Sequence, residues 1–156
     1  MTDPSPNPTL VYADDLSVGT RYEFDPHHVT EAAIVEYASA WDPQSFHIDR
    51  AAADAGAFRG LIASGIHTLA VAQRLSVDAA LHTWEVIAGR RLTEVEFLAP
   101  VRPDDDLGGF LEIEGVDFDD RGRALVTHRC DLINQASVTV LRIRVQAYVR
   151  ARPTTR

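Results

Sequence analysis

Hydrophobic positions recur at two different intervals along this chain, and the change of interval divides it. Ala33, Ile34, Tyr37, Ala38 and Trp41 fall at helical spacing, which predicts an amphipathic helix over residues 30–41. Thr30 offers the N-cap, and Glu31 stands in the first turn, where free N–H groups favour an acid. Asp42-Pro43 closes the helix, because a residue before proline is pushed out of the helical region. A polar loop is expected over residues 42–50, a short helix over 51–55 and a second loop over 56–60. From Ser64-Gly65 to Leu75 the pattern is nearly apolar all round, the mark of a helix with protein on most sides. Residues 78–84 extend it or begin another turn.

In the second half the interval shortens. Residues 92–98, 107–118, 124–134 and 138–149 are rich in Val, Ile, Leu, Phe and Thr. Val138, Val140, Ile143 and Val145, with charged residues between them, alternate most clearly, so strands are predicted. A further short strand is predicted over residues 21–24. Asp119-Asp120-Arg121-Gly122 reads as a hairpin turn and Pro100-Val101-Arg102-Pro103 as a bend. Strands grouped after helices imply an α+β fold, a long buried helix packed on an antiparallel sheet.

Composition narrows the function. The 156 residues suit one domain, placed at residues 10–152 behind a flexible tail at 1–9 that carries three prolines. The net charge of −8 argues against nucleic acid as a partner. It leaves room for a small phosphorylated ligand held by a few arginines, which supply all 15 positive charges. Cys130 is the only cysteine, which excludes a disulfide scaffold. The longest uncharged stretch, residues 60–73, has 14 residues, short of the roughly 20 of a membrane span. The first residues lack a basic region and an apolar core, so no signal peptide is expected and a cytoplasmic location is.

The most informative stretch is Tyr37-Ala38-Ser39-Ala40-Trp41-Asp42-Pro43-Gln44-Ser45-Phe46-His47-Ile48-Asp49. Asp42 and His47 stand five apart, in a loop that lets both side chains reach one small volume. A carboxylate and an imidazole can jointly hold a water and move its proton. Taken singly, an Asp before Pro is common turn chemistry and a loop histidine is common surface. The second stretch is Phe58-Arg59-Gly60-Leu61-Ile62-Ala63-Ser64-Gly65-Ile66-His67-Thr68. Here Ser64-Gly65 opens the apolar helix, whose first N–H groups are unpaired and partly positive. With no side chain at Gly65, a ligand oxygen can reach its N–H, as in an oxyanion hole for a thioester carbonyl. The plainer reading is an N-cap serine and a packing glycine.

Together the two stretches resemble the MaoC-like dehydratase family, the (R)-specific enoyl-CoA hydratases. Asp15-Leu16-Ser17-Val18-Gly19, Pro100-Val101-Arg102-Pro103-Asp104-Asp105-Asp106-Leu107 and Asn134-Gln135 extend the resemblance over roughly residues 14–150. It implies a hot-dog fold, in which a curved antiparallel sheet wraps a long central helix. It also implies a homodimer whose sheets join, with an acyl-CoA thioester near the interface and neither nucleic acid nor membrane as partner. The implied reaction is reversible addition of water to a trans-2-enoyl-CoA. Carried over, Asp42 and His47 hold and activate the water: one takes its proton, and the protonated partner supplies a proton to the α-carbon. The Gly65 N–H polarises the carbonyl. Gln44, Phe46 and Ser64 are expected to contact substrate; His67, three residues past Ser64 in the buried helix, is a further candidate contact, and its plainer reading is a satisfied core or interface histidine. The CoA thioester is substrate, and no metal or redox cofactor is implied.

Departures leave other readings open. Gln44 and Ser45 stand where strict hydratases carry Asn and Pro, and many relatives have His in place of Ser64. Asp104-Asp105 replaces the usual Gly-Asp, which is expected to reshape that turn. A thioesterase on the same fold remains an alternative. So does a catalytically silent acyl-CoA-binding protein, or the partner subunit of a heterodimeric dehydratase. Trp41 and Trp84 are expected as core or interface anchors, and Asp104-Asp105-Asp106 as a solvated loop. His27-His28 with His47 lacks metal-site spacing, and Arg90, Arg91 and Arg102 are candidates for CoA phosphates.

Overall fold

A computed structural model describes residues 9–153. All but the last residue of the tail expected at 1–9 lies outside that range. Two short strands, β1 (Arg21–Glu23) and β2 (His27–His28), precede three helices, α1 (Glu31–Trp41), α2 (Ser45–Ile48) and α3 (Arg50–Ala55). The long helix α4 (Gly65–Ser76) runs on through a π-helical turn, Val77–Leu81, into one 17-residue rod. Four long strands follow: β3 (Val86–Phe97), β4 (Asp106–Phe118), β5 (Arg123–Ile133) and β6 (Thr139–Arg150). They form an antiparallel sheet in the order β1-β4-β5-β6-β3, with β2 also pairing β4. This is the hot-dog arrangement.

Local chemistry sets the helix ends. Thr30 Oγ1 accepts the Ala33 N–H at 3.1 Å and starts α1, and the residue before Pro43 ends it. Asp49 caps α3 in the same way, accepting the Ala52 N–H at 3.0 Å. Rod and sheet share one core. Val71, Ala72 and Leu75 of α4 face inward with Leu107, Leu111 and Ile113 of β4, Leu132 of β5 and Leu141 of β6. Each fully buried side chain of this kind contributes about 1.5–3 kcal/mol. Also on the inward face, His128 is pushed down to about 4 by burial and packs edge-on to Trp84. The outer face carries charge pairs instead, such as the two-pronged contact of Arg142 with the buried Asp131.

Several expectations are corrected. Residues 86–91 belong to β3, which begins six residues before the predicted strand. Residues 45–48 form the helical turn α2, and residues 27–28 are a strand. Trp84 is in the core, but Trp41 is 76% exposed at the end of α1. Asp105 is buried: it accepts the Arg102 N–H at 2.8 Å and the Gln135 amide at 2.9 Å, fastening the bend before β4. Asp104 adopts the left-handed region itself, at φ +68°, which Asp tolerates better than most residues.

Candidate active site

The site is built on an extended, buried run, Leu61–Ile62–Ala63–Ser64, that leads into α4. Both sides of the run are tied down. The Ala63 N–H donates to the Val101 carbonyl at 2.8 Å, and the Ile62 N–H reaches the Phe46 carbonyl at 3.4 Å. The Ile62 carbonyl in turn accepts from His47 Nδ1 at 2.7 Å. A carbonyl can only accept, so Nδ1 carries the proton, and Nε2 of neutral His47 keeps its lone pair. That lone pair points toward Asp42, with Nε2 3.4 Å from Oδ2.

Asp42 leaves the end of α1 and is engaged on both oxygens. Ser64 Oγ donates to Oδ2 at 2.7 Å, and Gln44 Nε2 donates to Oδ1 at 2.8 Å. The Ser64 hydroxyl first, then the Gln44 amide, hold the Asp42 carboxyl below the usual carboxylate range. It is therefore ionised at neutral pH. Ser64 does double work, since its Oγ also accepts the Ile66 N–H at 3.2 Å as the N-cap of α4. Gln44 thus keeps an amide hydrogen bond to the acid despite its longer side chain.

Both residues open on a cleft of about 580 Å³ with a mainly apolar lining. Gly65 and Phe46 line it, Phe46 lying edge-on to the His47 ring with centroids 4.3 Å apart. Among the described residues no acceptor takes the Gly65 N–H, as expected of a first-turn donor. A Cβ at Gly65 would stand 2.9 Å from the Phe97 ring, so glycine here admits a close aromatic neighbour.

Of the seven residues singled out in the sequence, Asp42, Gln44, Phe46, His47 and Gly65 line one cleft, and the buried Ser64 is bonded to Asp42. His67 does neither. It turns toward α1, stacked on Tyr37 with centroids 4.6 Å apart, and lines a separate surface hollow with Trp41 and Glu36. Burial, and then the charge of His27, push its pKa down. The sequence reading missed Phe97 and Val101, which arrive from β3 and from the bend before β4. Val101 lay in a quoted motif, whereas nothing local marked Phe97. The Ile62 carbonyl that orients His47 is backbone and has no residue signature.

This fold and constellation define the class. Residues 15–134 match the family described as MaoC like domain, and the chain belongs to the MaoC-like dehydratase family. The chain is 34% identical over 100 residues to the uncharacterized protein YdeM of Bacillus subtilis, covering 64% of this chain and 71% of that one. A MaoC-like dehydratase from Rhodospirillum rubrum superimposes with a TM-score of 0.85 at 36% identity, over 92% of this chain and 99% of its own. The (R)-hydratase PhaJ1 from Pseudomonas aeruginosa shares the fold, with a TM-score of 0.75 at 23% identity over 92% and 88% of the two chains. Among the described residues no helix is long and apolar enough to cross a membrane.

Proposed function

We propose that this protein reversibly hydrates trans-2-enoyl-CoA to (R)-3-hydroxyacyl-CoA. The supporting observation is the convergence of a free imidazole nitrogen and an ionised carboxylate, 3.4 Å apart, beside the unpaired Gly65 N–H. The thioester carbonyl accepts the Gly65 N–H at the positive end of α4, which draws electron density away from C3. A water donates one hydrogen toward His47 Nε2 and the other toward Asp42. As its oxygen bonds to C3, its proton passes to Nε2, and the electrons of the C2–C3 double bond move into an enolate held by Gly65. The same proton then leaves Nε2 for C2, which restores neutral His47 and the carbonyl. Asp42 stays charged throughout: it orients the water and stabilises the transient imidazolium.

The direct test follows the enoyl-thioester absorbance across a panel of chain lengths, with chiral analysis of the product. Loss of absorbance with an (R)-3-hydroxyacyl product supports the reading. Free CoA released from a saturated acyl-CoA, without hydration, replaces it with a thioesterase. A second expectation concerns Ser64. Its bond lowers the pKa of Asp42, so Ser64→Ala raises that pKa. A carbon-13 NMR titration of the Asp42 carboxyl reads that shift directly, as a midpoint at higher pH in the variant than in wild type. Loss of the N-cap should cost about 1 kcal/mol in chemical denaturation. A carboxyl midpoint that stays in place would remove Ser64 from the ionisation of Asp42.

The functional unit we propose is a homodimer. Among the described residues, strand β3 pairs only with β6, and its other edge is free. Along it Val86, Ile87, Leu92, Val95 and Phe97 are all exposed. A long apolar edge of this kind is a liability unless another strand covers it. Light scattering is expected to give twice the chain mass, and a monomer at micromolar concentration would refute the assembly.

A further inference from the structure

Most arginines of this acidic chain sit against a carboxylate, as Arg142 does with Asp131 and Arg144 with Glu114. Among the described residues, Arg59, Arg90, Arg91, Arg102 and Arg121 have no carboxylate within ion-pair range. Three of these lie away from the cleft. Arg121 is in the β4–β5 hairpin, and Arg90 lies over Tyr148 at 5.9 Å. Arg91 is six residues along β3 from Phe97, about 20 Å at strand spacing. Arg59 and Arg102 directly follow Phe58 and Val101, which both line the cleft.

The two loops that carry them are joined. Arg102 Nη2 donates to the Phe58 carbonyl at 2.7 Å, and Nη1 lies 3.1 Å from where a Cβ on Gly60 would stand. Arg59 is exposed and holds φ +51°, a region that a bulky residue avoids and glycine enters freely. The backbone therefore does not ask for arginine at this position. One acid is close by: Asp54, whose Oδ1 lies 4.0 Å from the same Cβ position on Gly60 and makes no ion pair with either arginine. Asp105 is already committed to the Arg102 N–H and to Gln135. Two arginines without a carboxylate in ion-pair range, on joined loops next to residues that line an apolar cleft, stand out in a chain of net charge −8.

We infer that Arg59 and Arg102 form a phosphate-binding rim that holds the phosphates at the far end of the pantetheine arm of CoA. This rests on the acyl-CoA reading of the cleft. The planar guanidinium forks suit phosphate oxygens, and the charge-assisted bonds they make are the strong ones. The rim anchors the carrier and leaves the acyl group and its chemistry to the interior.

The test compares binding of CoA, 3′-dephospho-CoA and pantetheine by calorimetry to wild type, Arg59→Gly and Arg102→Gln. Wild type should bind CoA at least tenfold tighter than pantetheine, with an affinity that weakens as salt rises. Each substitution should weaken CoA binding about tenfold and leave pantetheine binding in place. Arg59→Gly should also raise the thermal midpoint by relieving the backbone, whereas a structural role for the side chain would lower it. Equal weakening of CoA and 3′-dephospho-CoA assigns the pair to the diphosphate. Weakening confined to CoA assigns it to the 3′-phosphate. Wild type that binds CoA no better than pantetheine, or variants that keep full CoA affinity, would overturn the inference. Turnover of an enoyl-pantetheine thioester reads the hydratase separately, so either reading can fail while the other stands.

Discussion

His47→Asn is expected to lower kcat/KM on a trans-2-enoyl-CoA by about a thousandfold, within the range seen on loss of a general base. Asparagine is the informative replacement. Its amide nitrogen falls near Nδ1 and can still donate to the Ile62 carbonyl, while nothing replaces Nε2. The change therefore deletes the base and keeps the tie between α2 and the run into α4. The thermal midpoint and the affinity for a saturated acyl-CoA should stay close to wild type. Asp42→Asn should cost about a hundredfold, because the amide can still accept the Ser64 hydroxyl but carries no charge to oppose a developing imidazolium. A His47→Asn enzyme within tenfold of wild type would show that the proton goes elsewhere.

The largest effect on stability is expected at Gly109. This residue of β4 stands at φ +123°, and a Cβ there would lie 1.9 Å from the Asp131 carbonyl oxygen of β5. No rotamer can relieve that contact, because the backbone fixes where a Cβ stands and the atom it meets is a backbone oxygen, and β4 and β5 are neighbours in the sheet. Gly109→Ala should destabilise by about 3 kcal/mol or more, a drop of roughly 10 °C in Tm for a domain of this size. Gly122 is the control. It also has positive φ, +69°, but a Cβ there meets nothing within 4 Å. Gly122→Ala should therefore show only the backbone penalty of about 1 kcal/mol. Urea denaturation of both variants tests the contrast, and equal effects would mean that the close approach to Asp131 is unimportant.

Some of this was legible in the residues, and the parts that were not have physical reasons. The ends of α1 were readable because Thr30 and Pro43 act on their own backbone neighbours. The turn α2 was read as loop because its order comes from bonds to Ile62, fifteen residues on from His47, and not from local propensity. The first half of β3 was missed because an edge strand exposed on both faces shows no alternation. Asp105 looked like its two acidic neighbours, and only tertiary contact turns it inward. His67 was drawn toward the cleft by its closeness to Gly65 in sequence. Two helical residues amount to about 200° of rotation, which sends it to the opposite side of α4. Asp42, His47, Ser64 and Gly65 were readable because the pairing of their chemistry survives without knowledge of the fold.

One strand serves two ends. Among the described residues β3 has a free edge, where the second copy of the proposed dimer would pair, and its last residue, Phe97, lies over Gly65 in the cleft. Association and ligand binding are then linked equilibria that share a mechanical element. If a partner strand fixes the position of Phe97, it changes the affinity of the cleft by some factor. The occupied cleft must then tighten or loosen the pair of subunits by that same factor. For the proposed dimer, specific activity would then depend on protein concentration, and substrate would act as an assembly factor.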